Sequence, residues 1–250
     1  MRKITAILLA LCLVVLLSAC SGTVPALPLR GDGNVVEHTI TLDPQEEFFI
    51  LTIENINFRN STARIVINET LGNEIIISTD ENIWQELRTS VESNQSEVRI
   101  YSQRNRAITP TELTITTGLP VTELRGNGAW HVEHNHTRIT SFAARMDGSV
   151  RGEFNFGELE SLHLTLNGAG NISLYGNAQH AQFTLNGAGE LEAFGLTAET
   201  AAVTLNGAGR VSITATEQLD AAINGTGQII YDGNPTISRR ITGIGRVRAR

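Results

Sequence analysis

The sequence predicts an all-β protein, a stack of short strands forming a β-solenoid. Three observations carry that prediction. The motif Asn-Gly-x-Gly recurs at near-regular intervals through the C-terminal half, apolar and polar residues alternate on both sides of each copy, and a unit of that length can bury its apolar face only by stacking on its neighbours.

The repeats come first. Asn167-Gly168-Ala169-Gly170 recurs as Asn186-Gly187-Ala188-Gly189 and as Asn206-Gly207-Ala208-Gly209. Weaker copies follow at Asn224-Gly225-Thr226-Gly227 and Thr242-Gly243-Ile244-Gly245, and the first glycines are 19, 20, 18 and 18 residues apart. Gly126-Asn127-Gly128 and Asp147-Gly148 read as degenerate earlier copies, so regular repeats begin near residue 124. Segments such as Phe183-Thr184-Leu185 before the corner and Val211-Ser212-Ile213 after it alternate with period two, which buries one face of a strand. Gly168, Gly170, Gly187, Gly189, Gly207, Gly209, Gly225 and Gly227 sit where the chain must turn or pass close to its neighbour. A unit this short cannot cover its own apolar face, whereas stacking identical units gives a continuous core. Stacking also predicts ladders: Asn167, Asn186, Asn206 and Asn224 at the corner, and Asn171, Glu190, Arg210, Gln228 and Arg246 in one outward column. A propeller would need repeats about twice as long with Trp-Asp signals, and a meander is the other competitor; the solenoid is preferred.

Upstream of the repeats, Phe48 to Ile53, Ala63 to Ile67 and Glu74 to Ile77 are strand candidates. Ser78-Thr79-Asp80-Glu81 has capping-box spacing, and Ile83, Trp84 and Leu87 follow at helical spacing, so one helix of about two turns is expected near 80–88. Residues 31–120 are read as the first coils of the same solenoid, giving one domain over 31–250. A solenoid has two open ends. Arg239, Arg240, Arg246, Arg248 and Arg250 crowd the last one with no acid among them. They read as a charged cap against edge pairing in preference to a patch for anionic glycans or head groups.

The N-terminus reads as an export signal: basic Met1-Arg2-Lys3, apolar Ile4 to Leu17, then Leu17-Ser18-Ala19-Cys20. The last four residues resemble the bacterial lipobox, which makes 1–19 a signal peptide, Cys20 the lipidated first mature residue, and 20–30 a linker. The only cysteines are Cys12 and Cys20, so the mature domain has neither a disulfide nor a free thiol. Losing Arg2 and Lys3 takes the formal charge from −7 to −9, and Lys3 is the only lysine. That balance argues against nucleic acid as a partner, because phosphate contacts dominate such binding.

The run Gly31-Asp32-Gly33-Asn34-Val35-Val36, then Thr79-Asp80-Glu81-Asn82-Ile83, then serial Asn-Gly-x-Gly, then Tyr231-Asp232-Gly233-Asn234-Pro235 resembles the GIN-domain family of auto-transporter adhesin heads. The resemblance covers about Gly31 to Arg250. It implies a right-handed parallel β-helix in an exported, often lipid-anchored bacterial protein without catalytic residues. The chain departs from the family in using Ala between the glycines where Ser is common, which should leave the turn unaltered.

Few of the residues point to chemistry. A dinucleotide site needs Gly-x-Gly-x-x-Gly opening a helix, and here strands follow the glycines. A calcium β-roll needs aspartates in the repeat, which Asn-Gly-Ala-Gly lacks. A β-helical polysaccharide lyase or hydrolase needs clustered carboxylates, and Asp32, Asp43, Asp80, Asp147, Asp220 and Asp232 are scattered. Trp130-His131-Val132-Glu133-His134-Asn135-His136 holds three of the six histidines. His134 and His136 are candidate metal ligands if the strand continues through them, with a polar strand end as the favoured alternative. Tyr175 and Phe194 occupy equivalent positions in neighbouring coils and are candidates for sugar stacking, although packing under a loop is favoured. No catalytic residue and no cofactor is expected. The expected role is adhesion or ligand binding, to glycan or protein, by a lipoprotein held at the cell envelope through Cys20. The alternatives are a structural spacer or assembly component and, more remotely, a carbohydrate-active enzyme. Tyr175, Phe194, Arg246, Arg248 and Arg250 are the binding candidates.

Overall fold

In the computed structural model, residues 27–42, 49–58, 62–92, 96–104 and 106–250 are described. The signal segment, Cys20 and the linker as far as residue 26 lie outside them. The described chain is nearly all β: β1 (Leu29–Arg30), β2 (Val35–Thr41), β3 (Phe49–Glu54), β4 (Asn57–Phe58), β5 (Ala63–Asn68), β6 (Glu74–Asp80), β7 (Leu87–Val91), β8 (Glu97–Ser102), β9 (Ala107–Thr109), β10 (Leu113–Thr117), β11 (Val121–Asn135), β12 (Ser141–Gly207), β13 (Arg210–Gly225), β14 (Gln228–Asp232), β15 (Thr236–Gly243) and β16 (Arg246–Ala249). One helix, α1, spans Glu81–Trp84.

From β11 onward the chain pairs with its own continuation, always in parallel. Glu123–Asn135 lies against Ala143–Asn155 residue for residue, an offset of 20. The same offset carries Glu190–Ala193 onto Arg210–Ile213, and it drops to 18 by Thr200↔Gln218 after register shifts at Ala193/Thr197 and Ala198/Thr200. β13 then pairs β14 and β15, and β14 pairs β16, all at 18. Those shifts are why the glycine spacing falls from 20 to 18 after Gly207. Parallel neighbours need a crossover of a dozen or more residues, and here the rest of each repeat supplies it. Inward residues alternate with outward ones, so Leu166, Leu185, Leu205 and Ile223 form one buried column. They belong to a single apolar core that runs from Leu42 to Val247.

The N-terminal region joins the same sheet. β3 and β5 both pair in parallel with β11, and β8 with β3. Beyond them the pattern changes: β6 is antiparallel to both β2 and β10, and β7 is antiparallel to β8. Phe49–Glu54, Ala63–Asn68 and Glu74–Asp80 coincide with the strand candidates. The helix is shorter than expected, one turn in place of two. Asp80 is its N-cap yet makes no side-chain capping bond. Its carboxylate instead accepts the N–H of Gly33 at 2.8 Å and of Thr111 at 2.7 Å. Ser78 lies within β6, and Leu87 opens β7 as its one buried residue, so Leu87 reaches the core from the start of a strand and not from a second helical turn. Asp32 and Asn82 extend the same staple: Asp32 N–H donates to Asn82 Oδ1, and Asn82 Nδ2 donates to the Arg30 carbonyl. The Gly31 and Asp80 motifs therefore tie the incoming chain to β6 and β10. The chain is already paired at Leu29–Arg30, where β1 runs parallel to β9.

At the far end, Arg239 stands opposite Ala221. Leu164, Phe183 and Val203 fill the same position in earlier repeats, all buried. The guanidinium lies 6.0 Å from the Tyr231 ring centre and donates to the Tyr231 hydroxyl. A charge at a core position on an edge strand opposes pairing by another sheet. Arg239→Leu should restore an apolar column at an open edge, and sedimentation velocity should then show concentration-dependent association beyond that of the unmodified chain. An unchanged sedimentation profile would remove the capping role.

Candidate functional site

Two glycines per corner allow the repeats to stack closely, for different reasons. Gly187 has φ +147°, a conformation L side chains rarely adopt, and a Cβ there would also overlap the Gly168 carbonyl oxygen. Gly189 is required by close approach: its Cβ would lie 2.6 Å from the Gly170 carbonyl oxygen. Gly168, Gly207 and Gly225 share the positive φ of Gly187, while Gly170, Gly209 and Gly227 crowd the preceding repeat as Gly189 does. Beside them runs the asparagine ladder. Nδ2 of Asn224, Asn206 and Asn186 each donates to Oδ1 of the preceding asparagine at 2.6–2.7 Å, and Asn167 donates onward to the Asp147 carboxylate. A carboxylate only accepts, so Asp147 sets the direction of the whole ladder.

Past the corner, the outward side chains form columns. Arg64 lies opposite His131, and His131 opposite Arg151. Further along, Glu190, Arg210, Gln228 and Arg246 are in register, with Glu190 and Arg210 paired at 3.4 Å. One column over, Glu133 lies opposite Glu153, and two residues further Asn68, Asn135 and Asn155 are in register. Gly170 and Gly176 abut the Val150 and Phe156 carbonyls, which places Tyr175 beside Asn155.

These columns enclose a cleft of about 420 Å³ across β5, β11 and β12, lined by Asn68, His131, Glu133, Asn135, Glu153, Asn155 and Ser173. Two carboxylates on adjacent strands repel unless offset. Glu133 accepts Arg64 Nη2 at 2.6 Å and lies 3.1 Å from His131 Nε2. Glu153 accepts Asn155 Nδ2 at 3.3 Å. The cleft thus offers acceptor-only carboxylates beside amides that both donate and accept, a set suited to hydroxyl and amide groups.

The sequence candidates fall in several places. Tyr175 is 43% exposed and its ring lies over Gly195, where a Cβ would collide with it. Phe194 is covered by Arg250, whose guanidinium stands 4.5 Å from the ring centre and 3.3 Å from Asp232. Arg246 continues the outward column, and Arg248 donates to the Ala249 carbonyl. Cys20 lies outside the described residues.

His134 and His136 are both buried, on the inner side of the strand line with Trp130 and Val132. His134 sits among Phe142, Phe154 and Phe156, with ring centres 4.8–6.0 Å away. Burial pushes its pKa down to about 4. His136 has Nδ1 3.9 Å from Glu69, and burial lowers its pKa as well. No group of three or more His, Cys, Asp or Glu side chains is placed to hold a metal ion among the described residues. Because the folded pKa of His134 lies below its ordinary 6.5, its contribution to stability is complete above pH 6.5 and is lost as pH falls toward 4. Urea titrations from pH 7 to 4 should show that decline, at most about 1.4 kcal/mol per pH unit for one group, and His134→Leu should make it shallower, leaving the part that His136 contributes. An equal slope in both proteins would place the titrating group elsewhere.

Glu133 and Glu153 were not singled out in the sequence, since they are 20 residues apart and belong to the degenerate early repeats. The 20-residue offset, carried one repeat upstream, pairs them.

Fold and site together define an all-β repeat protein with a polar, outward-facing cleft. The family model described as "Putative auto-transporter adhesin, head GIN domain" matches residues 54–235, and the chain belongs to that family. Among solved structures, a "putative adhesin" from Bacteroides fragilis NCTC 9343 is 20% identical with a TM-score of 0.70, the match covering 89% of this chain and 100% of that one. A "putative lipid binding protein" from Parabacteroides distasonis ATCC 8503 is 24% identical with a TM-score of 0.62, over 89% and 99% of the two chains. A "putative adhesin" from Parabacteroides merdae ATCC 43184 is 20% identical with a TM-score of 0.55, over 89% and 98%. No curated protein matches the chain. No helix among the described residues is long and apolar enough to cross a membrane.

Proposed function

We propose that the chain is a non-enzymatic adhesin of the bacterial cell envelope. It is exported, anchored through lipid on Cys20 to the outer face of the cytoplasmic membrane or to the outer membrane, and binds a glycan or protein through its outward polar face. In this reading residues 31–250 form a right-handed parallel β-helix, and residues 20–30 link it to the lipid. The observation that carries the reading is the cleft, where side chains from three strands converge on one side of the sheet. Family membership and neighbours described as adhesins support it. The sheet order places β2 and β16 at opposite ends, so a lipid at the N-terminus would leave the arginine end facing outward. The cleft lining suits hydroxyls and amides better than acyl chains.

One observation favours a second reading. Glu133 and Glu153 on neighbouring strands are the carboxylate pair that a glycan hydrolase would need. Glu133 is already engaged by Arg64 and His131. One experiment separates the readings: the lipid-free protein is incubated with cell-wall and extracellular polysaccharides and envelope proteins, with binding and product release followed together. Saturable binding without cleavage is the expected result. Cleavage would establish an enzyme, and absence of any binding would favour the structural role.

A further inference from the structure

We propose that the cleft takes a neutral glycan, lying across the strands from Asn68 past Asn135 and Asn155 to Tyr175. This inference rests on the ligand-binding reading above. Residues in register on parallel strands are about 4.8 Å apart, so the three asparagines and Tyr175 form an evenly spaced row. An amide offers donor and acceptor together, which is what a pair of adjacent sugar hydroxyls presents in return. Glu133 and Glu153 in the next column can only accept, so they bind hydroxyls and repel carboxylate or sulfate groups on an acidic polymer. The aromatic end of the row is independent of the polar part. Gly195 leaves room for the Tyr175 ring to lie over its Cα while 43% of the residue stays exposed, an arrangement suited to stacking against an apolar sugar face. Its neighbour Phe194 is already covered by Arg250, so the row ends at a single ring.

Titration calorimetry on the full chain carrying Cys12→Ser and Cys20→Ser tests the inference. The probes are cellohexaose and mannohexaose as neutral chains and hexagalacturonate as the anionic one. At least one neutral chain should bind saturably, with hexagalacturonate at least tenfold weaker. Tyr175→Ala and Asn155→Ala should each weaken binding about tenfold. Asn177→Ala, exposed away from the cleft, should leave it unchanged. Circular dichroism of each variant separates lost binding from lost fold, and Asn135→Ala, on an exposed side chain, serves as a second probe of the row. Tighter binding of hexagalacturonate, or neutral binding indifferent to Tyr175, Asn135 and Asn155, would overturn the neutral-glycan assignment. So would no binding of either neutral chain. If envelope proteins or acidic polysaccharides still bind in the wider screen, the ligand-binding reading survives that failure. If nothing binds there either, both fall.

Discussion

Gly187→Ala should destabilise the protein by about 3 kcal/mol or more, an unusually large effect for one added methyl group. Two costs combine. Holding a non-glycine residue at φ +147° costs roughly 1–3 kcal/mol. Its Cβ would also overlap the Gly168 carbonyl oxygen, and relieving an overpacked contact costs typically ~1–3 kcal/mol more. The obstacle is backbone from the neighbouring repeat, so no side chain can rotate away. Displacing the corner also disturbs the Asn186 bonds to Asn167 and Asn206. Ala188→Ser, one residue on and exposed, should stay within about 0.5 kcal/mol. Urea denaturation gives both numbers. A Gly187→Ala midpoint equal to that of the unmodified chain would mean that the corners do not stack as described.

Asp80→Asn should cost about 3 kcal/mol at neutral pH. The carboxylate is buried and accepts backbone N–H groups from Gly33 and Thr111. An amide would turn a donor toward one of them, losing a charge-assisted bond of about 1.5–3 kcal/mol and leaving a buried N–H unmatched. Burial pushes the Asp80 pKa up, but the bonds from Thr111, Gly33 and Glu112 outweigh it and hold the carboxyl below its ordinary 3.8. A lowered carboxylate pKa stabilises the fold above the unfolded value and ceases to do so as pH falls through the folded one. Glu97, where burial is outweighed by the bonds from Arg99 and Thr52, and Glu69, held by the Thr137 N–H, act in the same direction. Acid titration of the unmodified protein should therefore show a loss below about pH 4, separate from the His134 decline between 6.5 and 4. Asp80→Asn should be less stable at pH 7 and lose less on acidification. A variant as stable as the parent at pH 7 would mean that the staple does not hold the N-terminal segment.

What was legible in the sequence was the part that repeats. Asn-Gly-x-Gly fixed the corners, and their spacing foretold the asparagine ladder and the Glu190–Arg210 pair, because in-register stacking turns sequence offset into spatial neighbourhood. The cleft was not legible, because its residues lie where the motif has decayed to Asp147-Gly148 and Gly126-Asn127-Gly128. There the offset had to be carried from clear copies to faint ones before Glu133 and Glu153 could meet. Asp80 misled for another reason. Its spacing to neighbouring residues fits a helix cap, but its partners Gly33 and Thr111 are 47 and 31 residues away. His134 depended on strand parity: continuing the Trp130–Val132 alternation buries it. Arg239 looked like one charge among five until the register put it at a core position.

A steric block shows whether one face of the sheet, around the cleft, is the binding surface. With Cys12 and Cys20 replaced by Ser, the chain has no thiol. A single Ser173→Cys would place a bulky maleimide adduct in the cleft, and Gln179→Cys would place the same adduct on an exposed site outside it. Retention on whichever ligand the screen identifies should be lost for the Ser173 adduct and kept for the Gln179 adduct. Equal retention of both, or equal loss of both, would mean that the ligand does not bind in the cleft.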